Sequence, residues 1–178
     1  MMDDFYFSGS VSTKIDEKNR FVLPQHMRYG LVEKGELEFT ISLGLDGSLS
    51  IYRKSDIAKI VQKFRKKQHI AKYRKFFTLF FSTLYHTGCD KLGRVVIPAI
   101  LKKAAGIEGE IVICGVLDKI EIWAKEKYEG DLQAFLEEGA TEMTEEAFAL
   151  LNEGEQEEEE PQAEACLTTD EQLEYEEL

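Results

Sequence analysis

A chain of 178 residues has room for one ordinary domain, or for two small ones that share a core. Its net charge of -12 hides two regions of opposite sign. Residues 1–130 hold all 22 Lys and Arg but only 16 of the 34 acids, a net of +6, and residues 131–178 carry the other 18 acids and no base. Cys89, Cys114 and Cys166 are odd in number and far apart, which argues against a disulfide framework or a zinc site. The most apolar stretch, Phe76 to Tyr85, is about half the ~20 residues of a membrane span. With acids at Asp3 and Asp4 in place of a basic leader, a soluble protein of the reducing cytoplasm is expected.

In chain order, Val11 to Ile15 and Phe21 to Leu23 read as short strands, with Asn19 between them at a position that favours positive φ. Pro24 then opens a short helix through Arg28, with Gly30 or Gly35 as its stop. Strands follow at Leu37 to Leu43 and Leu49 to Tyr52, joined by a turn at Leu45-Asp46-Gly47. Ser55 is the expected cap of a longer helix from Asp56, with Ile57, Ile60, Val61, Phe64 and Ala71 on its apolar face. Lys59, Lys63, Lys66 and Lys67 beside that face, with Arg65, Lys72, Arg74 and Lys75, make this the most basic segment. A solvated helix face and a phosphate-contacting surface fit it equally well. Phe76, Phe77, Phe80 and Phe81 place four aromatics in six residues, for which packing between two halves of the protein is expected ahead of a subunit contact.

The first pattern then returns. Asp16-Glu-Lys-Asn-Arg-Phe-Val-Leu-Pro24 recurs 74 residues later as Asp90-Lys-Leu-Gly-Arg-Val-Val-Ile-Pro98. Gly93 takes the place of Asn19, and a helix from Pro98 to Ala105 is stopped by Gly106. Strands at Glu110 to Val116 and Ile120 to Trp123 complete a second β-β-α-β-β unit, with Leu117-Asp118-Lys119 between them. This is one supersecondary unit duplicated, not a solenoid. A helix over Ala124 to Phe135 and a short one capped by Thr144 follow. Glu153 to Glu164 is expected to be disordered, because it has almost no apolar residues.

The repeated turn carries the chemistry. Asp16 and Asp90 are placed to bond back to the turn's own amides, and each can meet the Arg four residues on, Arg20 or Arg94. One reading is an ion pair that stabilises a turn and binds nothing. The other is nucleic-acid recognition, with Arg reading guanine in a major groove, Asp holding the guanidinium, and Lys18 and Lys91 touching phosphates. His26, His69 and His86 form no HExxH motif and no phosphate loop occurs, so an enzyme, a metal site and a cofactor are not expected.

The twice-used Asp-x-x-Gly/Asn-Arg, an apolar triplet and Pro resemble the MraZ family, tandem-repeat bacterial regulators of the AbrB-like (SpoVT-AbrB) superfamily. Arg74-Lys-Phe-Phe77 and Asp118-Lys-Ile-Glu-Ile-Trp123 add to the resemblance, which covers about residues 7 to 130. It implies an α+β fold of two half-barrel repeats about a pseudo-twofold axis, to which the residues themselves add a C-terminal helix and an acidic, disordered tail. The divisions implied are repeat 1 at 7–55, a basic and aromatic connecting helix at 56–82, repeat 2 at 83–130, and the tail at 131–178. Also implied are a ring-like homo-oligomer, association with the nucleoid, and no small-molecule ligand. Double-stranded DNA is the implied partner, as short G-rich repeats upstream of the division and cell-wall gene cluster. The residues carried over are Asp16 and Arg20 with Asp90 and Arg94, and Lys18, Asn19, Lys91 and Gly93 beside them complete the expected DNA-binding set. Asn19 and Lys102 depart from the family's usual Gly and Arg, and the tail is unusually long. An antitoxin-like or adaptor module that binds protein through the same fold is the alternative.

Overall fold

The computed structural model describes residues 5–157, so the expected disorder beyond Glu157 lies outside the described residues. The first repeat comprises β1 (Ser10–Lys14), β2 (Arg20–Val22), α1 (Gln25–Leu31), β3 (Val32–Glu33), β4 (Glu36–Leu43) and β5 (Leu49–Arg53). Next come α2 (Lys54–Arg65), a single 3-10 turn (Ala71–Tyr73) and α3 (Arg74–Ser82). The second repeat comprises β6 (Tyr85–Gly88), β7 (Arg94–Val96), α4 (Ala99–Ala104), β8 (Glu110–Val116) and β9 (Lys119–Ala124). The helices α5 (Lys125–Glu138) and α6 (Ala140–Glu157) complete the described chain. Two compact units are distinguished, Met1–Ala134 and Phe135–Leu178.

This is the expected α+β fold, and its strands are exchanged between repeats. The first strand of each repeat leaves its own unit: β1 pairs with β8, and β6 pairs with β4, both antiparallel. The two halves join where β5 meets β9. There Leu49 faces Ile122, Ile51 faces Ile120, and a pseudo-twofold axis passes between Ser50 and Glu121. A second, separate ribbon joins β2 to β7, with Phe21 opposite its own counterpart Val95. The symmetry is imperfect. Thr13 pairs with Ile111, but Thr87 pairs with Phe39 instead of Leu37, a shift of two residues. Because side chains alternate with period two, that shift leaves every inward residue inward.

One apolar cluster serves both repeats. It contains Phe21, Leu23, Met27, Phe39 and Ile51 from the first, with Val95, Ile97, Leu101, Ile113 and Ile122 from the second. Neither repeat can close this core alone, since each contributes one wall. Gly30 is no helix stop but lies inside α1, where a Cβ would meet Phe5 Cε1 at 2.3 Å, so its bareness admits the N-terminal aromatics. Gly35, at φ +83°, instead turns β3 into β4.

Several expectations are corrected. The β1–β2 turn forms, but its strands part at once, because Phe21 is buried against the opposite repeat. Ser55 does not cap α2. The helix starts two residues earlier, at Lys54, straight out of β5, and the Ser55 amide donates to Glu33 Oε2 at 3.0 Å. The connecting helix is broken after Arg65, which puts Ala71 off its face. The Phe76–Phe81 aromatics do not pack between the repeats. They surround Phe64 of α2 with ring centroids 5.6–6.0 Å away, a cluster made by α2 and α3 alone. Thr144 lies within α6 and bonds back to Ala140 O at 2.5 Å, and α6 continues over Glu153–Glu157, where disorder was expected.

Candidate functional site

Each Asp-x-x-x-Arg segment closes on itself with the same bonds. In the first, Asn19 N donates to Asp16 O and Asp16 N to Arg20 O, both at 2.9 Å. In the second, Gly93 N donates to Asp90 O at 2.9 Å and Asp90 N to Arg94 O at 3.0 Å. This is a four-residue turn whose last residue is left-handed, the form that needs an Asn or Gly there. Asn19 and Gly93 supply it at φ +58° and +75°.

The aspartates occupy their turns from within. Asp16 Oδ1 accepts from Lys18 N and Arg20 N, each at 2.9 Å, while Oδ2 accepts from Arg20 Nε and Nη2, each at 2.8 Å. Asp90 Oδ1 likewise accepts from Leu92 N and Arg94 N at 2.9 Å, and Oδ2 from Arg94 Nε at 2.6 Å. The guanidinium bond holds the Asp16 carboxyl below the usual carboxylate range, helped by the Arg20 amide. For Asp90 the Arg94 amide leads and the guanidinium follows. With folded values below unfolded ones, the turn's electrostatic support is fully present above the ordinary aspartate value of about 4. It is lost as pH falls through the lowered folded values. Carboxyl carbon shifts followed from pH 7 to pH 2 should therefore give midpoints for both residues below that of an aspartyl peptide, and ordinary midpoints would show the pairs broken in solution.

The β2–β7 ribbon sets the two turns side by side. Its register pairs Arg20 with Val96 and Val22 with Arg94, so these four side chains share one face while Phe21 and Val95 fill the other. Val22 and Val96 are accordingly exposed, and Phe21 and Val95 are buried. Arg20 and Arg94 are diagonal neighbours on that outer face, with Cα atoms about 7–8 Å apart. Their guanidiniums are engaged along the Nε edge. The Nη1 and Nη2 end of Arg20 keeps a pair of parallel N–H groups, a fork suited to two acceptors on one planar partner. Lys18 and Lys91 are exposed at the tips, at non-equivalent places: Lys18 corresponds to Leu92, and Lys91 to Glu17.

Each turn is also gripped by the other repeat. Ile97 N donates to Asn19 O at 2.9 Å, and Leu23 N to Gly93 O at 3.0 Å. Lys102 Nζ of α4 donates to Asn19 Oδ1 at 2.9 Å, and the Arg28 guanidinium of α1 lies against Gly93. Sequence reasoning missed the grip by Arg28 and Lys102. The signal was present, since the two stand at the 74-residue offset of the repeat.

The basic helix is partly neutralised: Lys54 pairs with Glu38, and Arg53 and Lys59 pair with Asp56 at 2.8 and 3.0 Å. Among the described residues no group of three or more His, Cys, Asp or Glu is placed to hold a metal ion, and no helix is long and apolar enough to cross a membrane. Cys89, next to the second turn, is half-buried, and burial pushes its thiol up to about 11. It is thus a protonated packing residue at neutral pH.

Comparison with known proteins points to one family. The family model described as "MraZ protein, putative antitoxin-like" matches residues 80–151. The transcriptional regulator MraZ of Lachnoclostridium phytofermentans is 33% identical over 139 residues, covering 78% of this chain and 96% of that protein. Its namesake from Clostridium beijerinckii is 40% identical over 123 residues, covering 68% and 84%. That of Clostridium acetobutylicum is 36% identical over 125 residues, with the same coverage.

Proposed function

The chain belongs to the MraZ family of transcriptional regulators, and on that premise we propose that it binds double-stranded DNA through its two Asp-x-x-x-Arg turns. The observation that carries this reading is the shared outer face of the β2–β7 ribbon, which offers Arg20 and Arg94 together. A two-stranded ribbon fits a major groove, and the free end of a guanidinium matches guanine O6 and N7. Asp16 and Asp90 hold each fork in one orientation, so less rotamer freedom is lost on binding. An Arg separation of about 7–8 Å spans about two base-pair steps of 3.4 Å, which favours a short G-rich element. Lys18 and Lys91 contact phosphates and set the register without reading sequence.

One such surface reads few bases, so affinity requires several at once. Assembly into a ring-like homo-oligomer supplies them, and the operator is a row of regularly spaced short repeats bound through effective concentration. The regulated genes are the division and cell-wall cluster, and the protein works in the cytoplasm at the nucleoid, with no small-molecule ligand. Footprinting on the DNA upstream of the protein's own gene tests this. Protection should recur at a fixed spacing, and light scattering should show an oligomer under the same conditions. A lone protected site bound tightly by monomer would contradict it. The antitoxin-like description of the family keeps one other reading in play, a protein-binding adaptor on the same fold. Salt separates them, because counterion release makes DNA affinity fall steeply, with a slope near 0.9 per phosphate contacted.

A further inference from the structure

The two turns differ where the opposite repeat touches them. Gly93 is buried, and a Cβ placed on it would lie 2.3 Å from Arg28 Nη1, 2.6 Å from Cζ and 3.1 Å from Nε. The guanidinium thus occupies the volume a side chain would need. Arg28 Nε is itself buried with no hydrogen-bond partner among the described residues, so this edge of the guanidinium meets the turn through packing. At the equivalent place in the first turn a side chain is present. Asn19 fills that volume, and the cation facing it is Lys102, whose compact ammonium donates to Asn19 Oδ1 at 2.9 Å.

We propose that Gly93–Arg28 and Asn19–Lys102 are two matched solutions to one contact, and that Arg28 and Lys102 are positioning residues for the DNA-reading arginines of the opposite repeat. This rests on the proposed DNA reading. The chemistry of the match follows from shape. A planar guanidinium needs a bare α-carbon beneath it, whereas an ammonium is a point donor that reaches over a short amide. Crossing the pairs fails in both directions. Arg at 102 meets the Asn19 side chain, and Lys at 28 leaves Gly93 without its packing partner. The turn residue directly precedes the reading Arg, and its carbonyl accepts the bond from Ile97 or Leu23 that ties the turns together. A displaced turn therefore carries the guanidinium of Arg20 or Arg94 with it.

Backbone strain does not obscure the test, because Asn is among the residues that best tolerate positive φ. The variants are G93N, R28K and G93N/R28K, with N19G, K102R and N19G/K102R as the mirror set, all in the full chain. Melting temperature is measured without DNA, and affinity is measured for the operator fragment and a scrambled duplex. G93N and K102R alone should each lower the melting temperature by about 3–6 °C. Each should also cut the operator-to-scrambled affinity ratio about tenfold, within the range one bidentate base contact carries. The double variants should recover most of both losses. Additive losses in the doubles would overturn the matched contact. Recovery of melting temperature with a ratio that never moved would overturn the positioning role. A wild-type chain that fails to discriminate the two duplexes would overturn the DNA reading itself, while the melting data still decide whether the contacts are matched.

Discussion

Replacing Arg20 and Arg94 together with Ala should lower affinity for the operator by about 2–6 kcal/mol, taking each bidentate guanine contact at about 1–3 kcal/mol. Binding to scrambled DNA should change far less. The fold should tolerate the change, because the backbone half of each turn survives. Asp16 Oδ1 still accepts from the amides of residues 18 and 20, Asp90 Oδ1 from those of 92 and 94, and the lost ion pairs are partly exposed. Any repulsion from the uncovered Asp16 and Asp90 carboxylates is independent of sequence, so the ratio of operator to scrambled affinity reports the lost base contacts. Each single variant should lose the share of its own contact, about 1–3 kcal/mol. Lys at either position should keep phosphate attraction and lose discrimination. Gel shifts with operator and scrambled duplexes decide it, and unchanged discrimination in the double Ala variant would remove the turns from the interface.

Phe21→Ala should be the most damaging single truncation near the site, destabilising the protein by about 3–5 kcal/mol. Phe21 is 1% exposed, sits opposite Val95 at the centre of the ribbon, and belongs to the core common to both repeats. Its loss opens a cavity directly beneath both arginines, so DNA discrimination should weaken along with stability. Val22 is 49% exposed on the opposite face, and Val22→Ala should fall within about 0.5 kcal/mol of wild type. Urea unfolding of the two variants makes the comparison. Equal, small effects would mean that the ribbon is not anchored through Phe21.

What could be read from the sequence was local in origin. Duplication, the positive-φ residue before each Arg, the Asp-to-amide bonds and the helices opened by Pro24 and Pro98 depend on residues within a few positions of one another. Partner choice between strands was not legible. Alternation assigns Val11 and Thr13 to a face but carries no information on whether β1 joins β2 or β8, and here it joins β8. The same limit hid the β2–β7 ribbon, and with it the fact that Arg20 and Arg94 form one surface instead of two. The aromatic run shows a related gap. Hydrophobicity said that Phe76 to Phe81 need company, but Phe64 supplied it from the preceding helix, and Phe76 stays 43% exposed. Ser55 has good capping chemistry, yet β5 runs into α2 without a loop, and the carboxylate of Glu33, distant in sequence, reaches the Ser55 amide. Arg28 and Lys102 escaped notice because their partners belong to the other repeat.

The central claim is that these two arginines read guanine, and guanine itself offers the direct test. Substituting 7-deazaguanine into the protected element removes the N7 acceptor and leaves pairing and charge alone. Binding of the wild-type chain should weaken by about 1–3 kcal/mol per guanine contacted, while the Arg20→Ala/Arg94→Ala chain, already without its forks, should bind substituted and natural DNA alike. Equal affinity of the wild-type chain for both duplexes, or an equal loss in the two proteins, would contradict the account.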